Sequence, residues 1–169
     1  MIHRDTMRRD SRRFVQSLDL PPAGSIRELL PAIEQRTGCP IHLLPAPAGS
    51  AFGVCGMWIR TVEDMDYIFI HEDTSRAHQD HILAHEIAHI LRNHHENPAF
   101  SPVSPVPERL FPNIDPEVVR MMLGRSEYTY RDEREAELIG SYLQRHVHRR
   151  TRQIADHDRA AETLLRRRT

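Results

Sequence analysis

The stretch His81-Ile82-Leu83-Ala84-His85-Glu86-Ile87-Ala88-His89-Ile90-Leu91-Arg92-Asn93-His94 decides how the rest of the chain is read. On an α-helix, residues four apart sit one turn apart on the same face, so His85 and His89 can offer both imidazoles to one metal ion. Glu86 completes an HExxH pattern. A carboxylate there is not a ligand; it is placed to take a proton from a water whose pKa the metal lowers to about 7. Ile82, Leu83, Ile87, Ala88, Ile90 and Leu91 supply an apolar stripe beside the histidines, as a helix half sunk in a core requires. The pattern predicts a helix from Thr74 or Ser75 to about His94, with zinc as the metal. His78 and His81 fall near the same face, and His81 could be an alternative ligand or a partner of one, but ligands from three consecutive turns of one rigid helix cannot surround a tetrahedral ion, so both read first as bystanders at the site mouth. His94 and His95 read as cations suited to the end of a helix dipole, with no further role.

Upstream of this helix, residues 41–44, 54–61 and 67–71 are short, β-prone and bounded by glycine, proline or acidic turn residues. They predict three strands in a small antiparallel or mixed sheet, the last two joined closely enough for a hairpin. An edge strand beside the histidine helix could accept an extended peptide by strand addition. Trp58, the one tryptophan, reads as core. Further upstream, Ser25-Ile26-Arg27-Glu28 has the form of a capping box, opening a short helix that Gly38 stops. Residues 8–18 predict an amphipathic helix with Phe14, Val15 and Leu18 inward and Arg8, Arg9, Arg12 and Arg13 on a solvated face.

Downstream, six prolines between Asn97 and Pro116 exclude a regular helix or a central strand and predict a long loop. Asp115-Pro116 would start a short helix through Leu123. A longer helix follows from about Thr129 to His148, and an arginine-rich one from about Thr151. Gly140 lies inside the long helix, where glycine costs about 1 kcal/mol relative to alanine, and so marks close approach of another backbone.

A catalytic zinc takes three protein ligands and leaves a position to water, so HExxH needs a partner. Asp132, Glu133, Glu135 and Glu137 are the candidates. Ala136, Ile139, Gly140, Leu143 and Val147 define the inward face of the long helix, and Glu133 continues that face one turn upstream. Glu133 is therefore read as the ligand, with Glu135 as its rival, and Glu137 as an acid that accepts a hydrogen bond from a ligand histidine. Tyr128 and Tyr130 are candidate donors to the oxyanion of a cleaved peptide.

HILAHEIAHILRNH followed by DEREAELIGSYL resembles the ImmA/IrrE family of zinc metallopeptidases, and the spacing of Glu133, Ala136, Glu137 and Gly140 is similar to the glutamate helix of thermolysin-like gluzincins. The resemblance spans about residues 40–148, and its specific part is the two motif segments. It implies an α+β zincin-like domain, a short sheet packed on the HExxH helix, with His85, His89 and Glu133 on zinc and Glu86 as general base. It also implies a protein substrate, a helix-turn-helix repressor among the candidates, or else a non-proteolytic toxin component of a toxin–antitoxin pair.

The 169 residues suit one domain, with N-terminal helices over 1–38, a catalytic core over 40–148 and a C-terminal helix over 149–169. Cys39 and Cys55 form no CxxC pair, which argues against a disulfide scaffold or a cysteine-held zinc and for a reduced, cytoplasmic setting. No apolar run approaches the roughly 20 residues needed to span a bilayer. A net charge of −1 supplies no basic field for nucleic acid, so the arginine clusters at 8–13 and 166–168 make nucleic-acid binding the weakest of the readings.

Overall fold

The computed structural model describes residues 2–46, 56–60, 64–94 and 128–166, with side chains for all of these but 2–5, 59 and 149–166. The expected loop over 97–116 and short helix over 115–123 lie outside the described residues, as does Cys55.

Helix α1 (Ile2–Ser17) begins a turn and a half earlier than its apolar pattern suggests, and Arg8, Arg9, Arg12 and Arg13 are exposed as read. Val15 and Leu18 enter the core, and Phe14 packs against it. The Ser25 segment opens differently from a capping box. Glu28 accepts from the Gly24 amide at 2.7 Å and from the Ser25 hydroxyl at 3.0 Å, and a 3₁₀ turn over Arg27–Leu29 leads into α2 (Leu30–Thr37). Pro31 at the start of α2 has no amide hydrogen to donate, which suits the first turn of a helix. Gly38 ends α2 in the left-handed conformation at φ 75°, its amide bonded to Glu34 O.

Strands β1 (Ile41–Pro45), β2 (Gly56–Arg60) and β3 (Asp66–Ile70) form a mixed sheet in the order β1-β3-β2. β1 and β3 run parallel with Ile41 opposite Asp66; β2 and β3 run antiparallel with Trp58 opposite Ile68. Asp66 belongs to β3 rather than to the turn before it, and it is fully buried. Its carboxylate accepts from Trp58 Nε1 at 2.8 Å and from Arg60 Nε and Nη2, each at 2.8 Å. Arg60 Nη1 also donates to Asn93 Oδ1 at 3.1 Å, so the pair links the sheet to the end of the next helix.

Helix α3 (Arg76–Arg92) carries the HExxH run. Ser75 caps it, the hydroxyl accepting from the His78 amide, and Asn93 closes it in the left-handed conformation. α3 packs on β2 and β3 on one side and on α4 (Tyr130–Arg166) on the other, while α1 packs against α4. The break expected after His148 does not occur: α4 runs on as one helix, since residues 141–166 contain neither glycine nor proline to stop it. Thr129 starts α4, its hydroxyl accepting from the Asp132 amide while Asp132 Oδ2 accepts from the Thr129 amide. Ala136, Ile139, Gly140, Leu143 and Val147 all face inward as read, and Ile139 and Leu143 join Leu83, Ile87 and Trp58 among the fully buried side chains.

At Gly140 the backbones of α3 and α4 come together. A β-carbon there would lie 3.2 Å from Ala84 C and O and from His85 N. The glycine thus lets α4 settle directly on the helical turn that carries His85.

Candidate metal centre

His85 and His89 point from α3 toward the first turn of α4, where Glu133 meets them. His85 Nε2 lies 3.0 Å from His89 Nε2 and 3.3 Å from Glu133 Oε2, and His89 Nε2 lies 3.6 Å from Glu133 Oε1. Donors about 2.0–2.2 Å from a tetrahedral ion stand about 3.3–3.6 Å from one another, so the spacing and the two-nitrogen, one-carboxylate donor set both fit zinc. Among the described residues these three form the one group of His, Cys, Asp and Glu able to hold an ion. The His89 side chain is fully buried, His85 is 22% exposed and Glu133 46%, so the cluster opens to solvent on the His85–Glu133 side. A hydrolytic metal needs such an opening.

Glu135, the rival ligand, is turned away. It pairs with Arg92 at 3.0 Å and lies 3.6 Å from His94 Nε2. Position 133 is on the inward-facing edge of α4, and two residues later the helix has rotated by about 200°. Glu137 Oε2 sits 3.7 Å from His85 Nδ1 and 3.5 Å from His81 Nε2, close to the acid position read for it and shared with the half-exposed His81.

Glu86 is buried, and its carboxylate faces the sheet. A β-carbon at Gly56, the first residue of β2, would stand 3.2 Å from Glu86 Oε1 and would collide with Ile82 Cγ2. Bare backbone at 56 therefore makes the space between α3 and β2 that the carboxylate occupies. Burial by itself draws the pKa of His85 down, but the Glu133 hydrogen bond and the charges of Glu86, Glu133 and Glu137 together outweigh it and hold that pKa above its ordinary value.

Sequence reasoning missed the surroundings of His89. His94 is not a helix-end cation on the surface; it is buried, with Nδ1 2.9 Å from His89 Nδ1. Burial lowers its pKa against the opposing pull of Asp132 and Glu135, which favours the neutral ring. Tyr128 stacks on His89 with ring centroids 3.8 Å apart and planes 22° apart, and so supports the face of that ring. Tyr130 is 77% exposed, and its hydroxyl accepts from Arg134 Nη1 at 3.4 Å. The spacing of His94, five residues after His89 and just past the helix cap, gave no periodic signal because the left-handed turn at Asn93 is what swings it back.

Comparison with protein-family models, with curated proteins and with solved structures finds no match to this chain.

Proposed function

We propose that the chain is a zinc-dependent peptidase that cleaves an extended segment of a protein partner. The observation that carries this reading is the convergence of His85, His89 and Glu133 on one point, with Glu86 on the same helix. Zinc held there would polarise a peptide carbonyl and acidify water. His85 and His89 each give an imidazole nitrogen, and Glu133 gives an oxygen from the neighbouring helix. Glu86, buried and kept from solvent by β2, takes the proton of the attacking water and passes it to the leaving amine. Among the described residues β2 is an edge strand, and an extended peptide hydrogen-bonded along it would pass beside Glu86. The resemblance of the two motif segments to ImmA/IrrE peptidases points to a regulatory protein as substrate, with helix-turn-helix repressors the first to try.

The test combines elemental analysis with digestion of a peptide library and of candidate repressors. Wild-type protein is expected to hold one zinc per chain and to cleave. Glu86→Gln is expected to keep the zinc and lose cleavage by at least about a hundredfold, the low end for general-base removal. Cleavage unchanged in Glu86→Gln would overturn the reading. A zinc-loaded wild type that cleaves nothing, and unfolds when zinc is removed, would instead mark a structural metal in an interaction module.

A further inference from the structure

His89 is fully buried between two aromatic neighbours, Tyr128 on its ring face and His94 at its edge. The arrangement at its edge has only one consistent proton assignment if the cluster holds a metal. A neutral imidazole that gives its Nε2 lone pair to an ion carries its proton on Nδ1. His89 Nδ1 faces His94 Nδ1 at 2.9 Å, so that nitrogen must accept. The proton of a neutral His94 then sits on Nε2, which faces Glu135 Oε2 at 3.6 Å and Asp132 Oδ1 at 3.9 Å. These two acids flank Glu133 near the start of α4, Asp132 in its first turn and Glu135 just after it.

We propose that His94 is a positioning residue for the metal centre, accepting the Nδ1 proton of His89 and so fixing that ligand's tautomer and ring angle, with Asp132 and Glu135 orienting His94 in turn. The role rests on the metal-binding reading above. A carboxylate or a carbonyl is the usual partner of a ligand histidine; here a second histidine stands in that place. The interposed ring has a consequence for Glu135. Although turned away from the ion, it acts on the metal centre through His94, while Glu133 acts directly. Because Asp132, Glu133 and Glu135 share one helical turn, the metal and its supporting chain are tied to the same segment of α4.

The experiment measures zinc affinity of the full chain by competition with a chromophoric chelator. His94→Leu fills the space without an acceptor, whereas His94→Asn places an amide oxygen where Nδ1 was. The Leu variant is expected to lose about ten- to hundredfold in affinity, the range for loss of a partner of a ligand. The Asn variant is expected to recover most of that loss. Equal affinity in wild type and His94→Leu, or no difference between Leu and Asn, overturns the role. Nitrogen-15 NMR of the zinc-loaded wild type is a second readout that needs no variant to fold: His94 protonated on Nε2 supports the role, and His94 protonated on Nδ1 overturns it. A folded wild type that takes up no zinc is a different failure, which removes the metal-binding reading and this role with it.

Discussion

Single side chains decide what the cluster can hold, and of the three acids in Asp132-Glu133-Arg134-Glu135 the two glutamates are placed differently. Glu133 lies against both histidines, while Glu135 pairs with Arg92. Glu133→Ala is expected to weaken zinc binding by at least about a hundredfold, and Glu135→Ala, which acts only behind His94, by about tenfold, the low end for a supporting partner. Equal losses in the two would contradict the assignment, and chelator competition reads both. The raised pKa of His85 adds a pH dependence. A proton that the fold favours contributes stability fully present below the ordinary value of 6.5 and lost as pH rises through the folded value. A metal must displace that proton, so zinc affinity is expected to fall by up to about tenfold per pH unit below the folded value. Calorimetry in two buffers of different ionisation enthalpy should show proton release near neutral pH; identical heats would contradict it. Spacing on a helix made His85, Glu86 and His89 legible, because that pattern is local. His94 was not legible, because its position depends on the turn at Asn93 and on a neighbour from another element.

At the level of elements, periodicity located α3, the inward face of α4 and the three strands, though not every boundary. It missed the pairing of β1 with β3, because β2 lies between them in sequence and the order of strands is set by tertiary packing. It also placed Asp66 in a turn, since a carboxylate is rare inside a strand unless something neutralises it. Arg60 and Trp58 do so. Asp66→Ala is expected to destabilise the fold by about 3–5 kcal/mol by leaving the largely buried Arg60 without its counter-charge, checked by denaturant unfolding. A loss under about 1 kcal/mol would show the pair to be dispensable. Gly140 was legible as a contact because nothing local excuses a glycine there. In Gly140→Ala, helix propensity gains about 1 kcal/mol, but the new methyl meets the rigid backbone of α3 and overpacking costs about 1–3 kcal/mol. The variant is expected to melt lower and to bind zinc less tightly, because α4 must back away and carry Glu133 with it. A higher melting temperature with unchanged affinity would refute that coupling.

Across the whole molecule, the core runs from α1 through α4 and α3 to the sheet, and the cluster stands where the two longest described helices meet. A metal there would join parts of the chain that lie far apart in sequence, so its removal is expected to lower the melting temperature, a shift that Glu133→Ala should abolish. No helix among the described residues is long and apolar enough to cross a membrane. The placement of His94 beside Tyr128, ring centroids 6.3 Å apart, bears on how such a protein can change over evolutionary time. The two residues stand at opposite ends of the stretch 95–127, and both rings press on His89. Substitutions at either of these two positions reach the buried His89 from outside the HExxH run, so the part of the sequence that metal binding would hold fixed is wider than the motif itself.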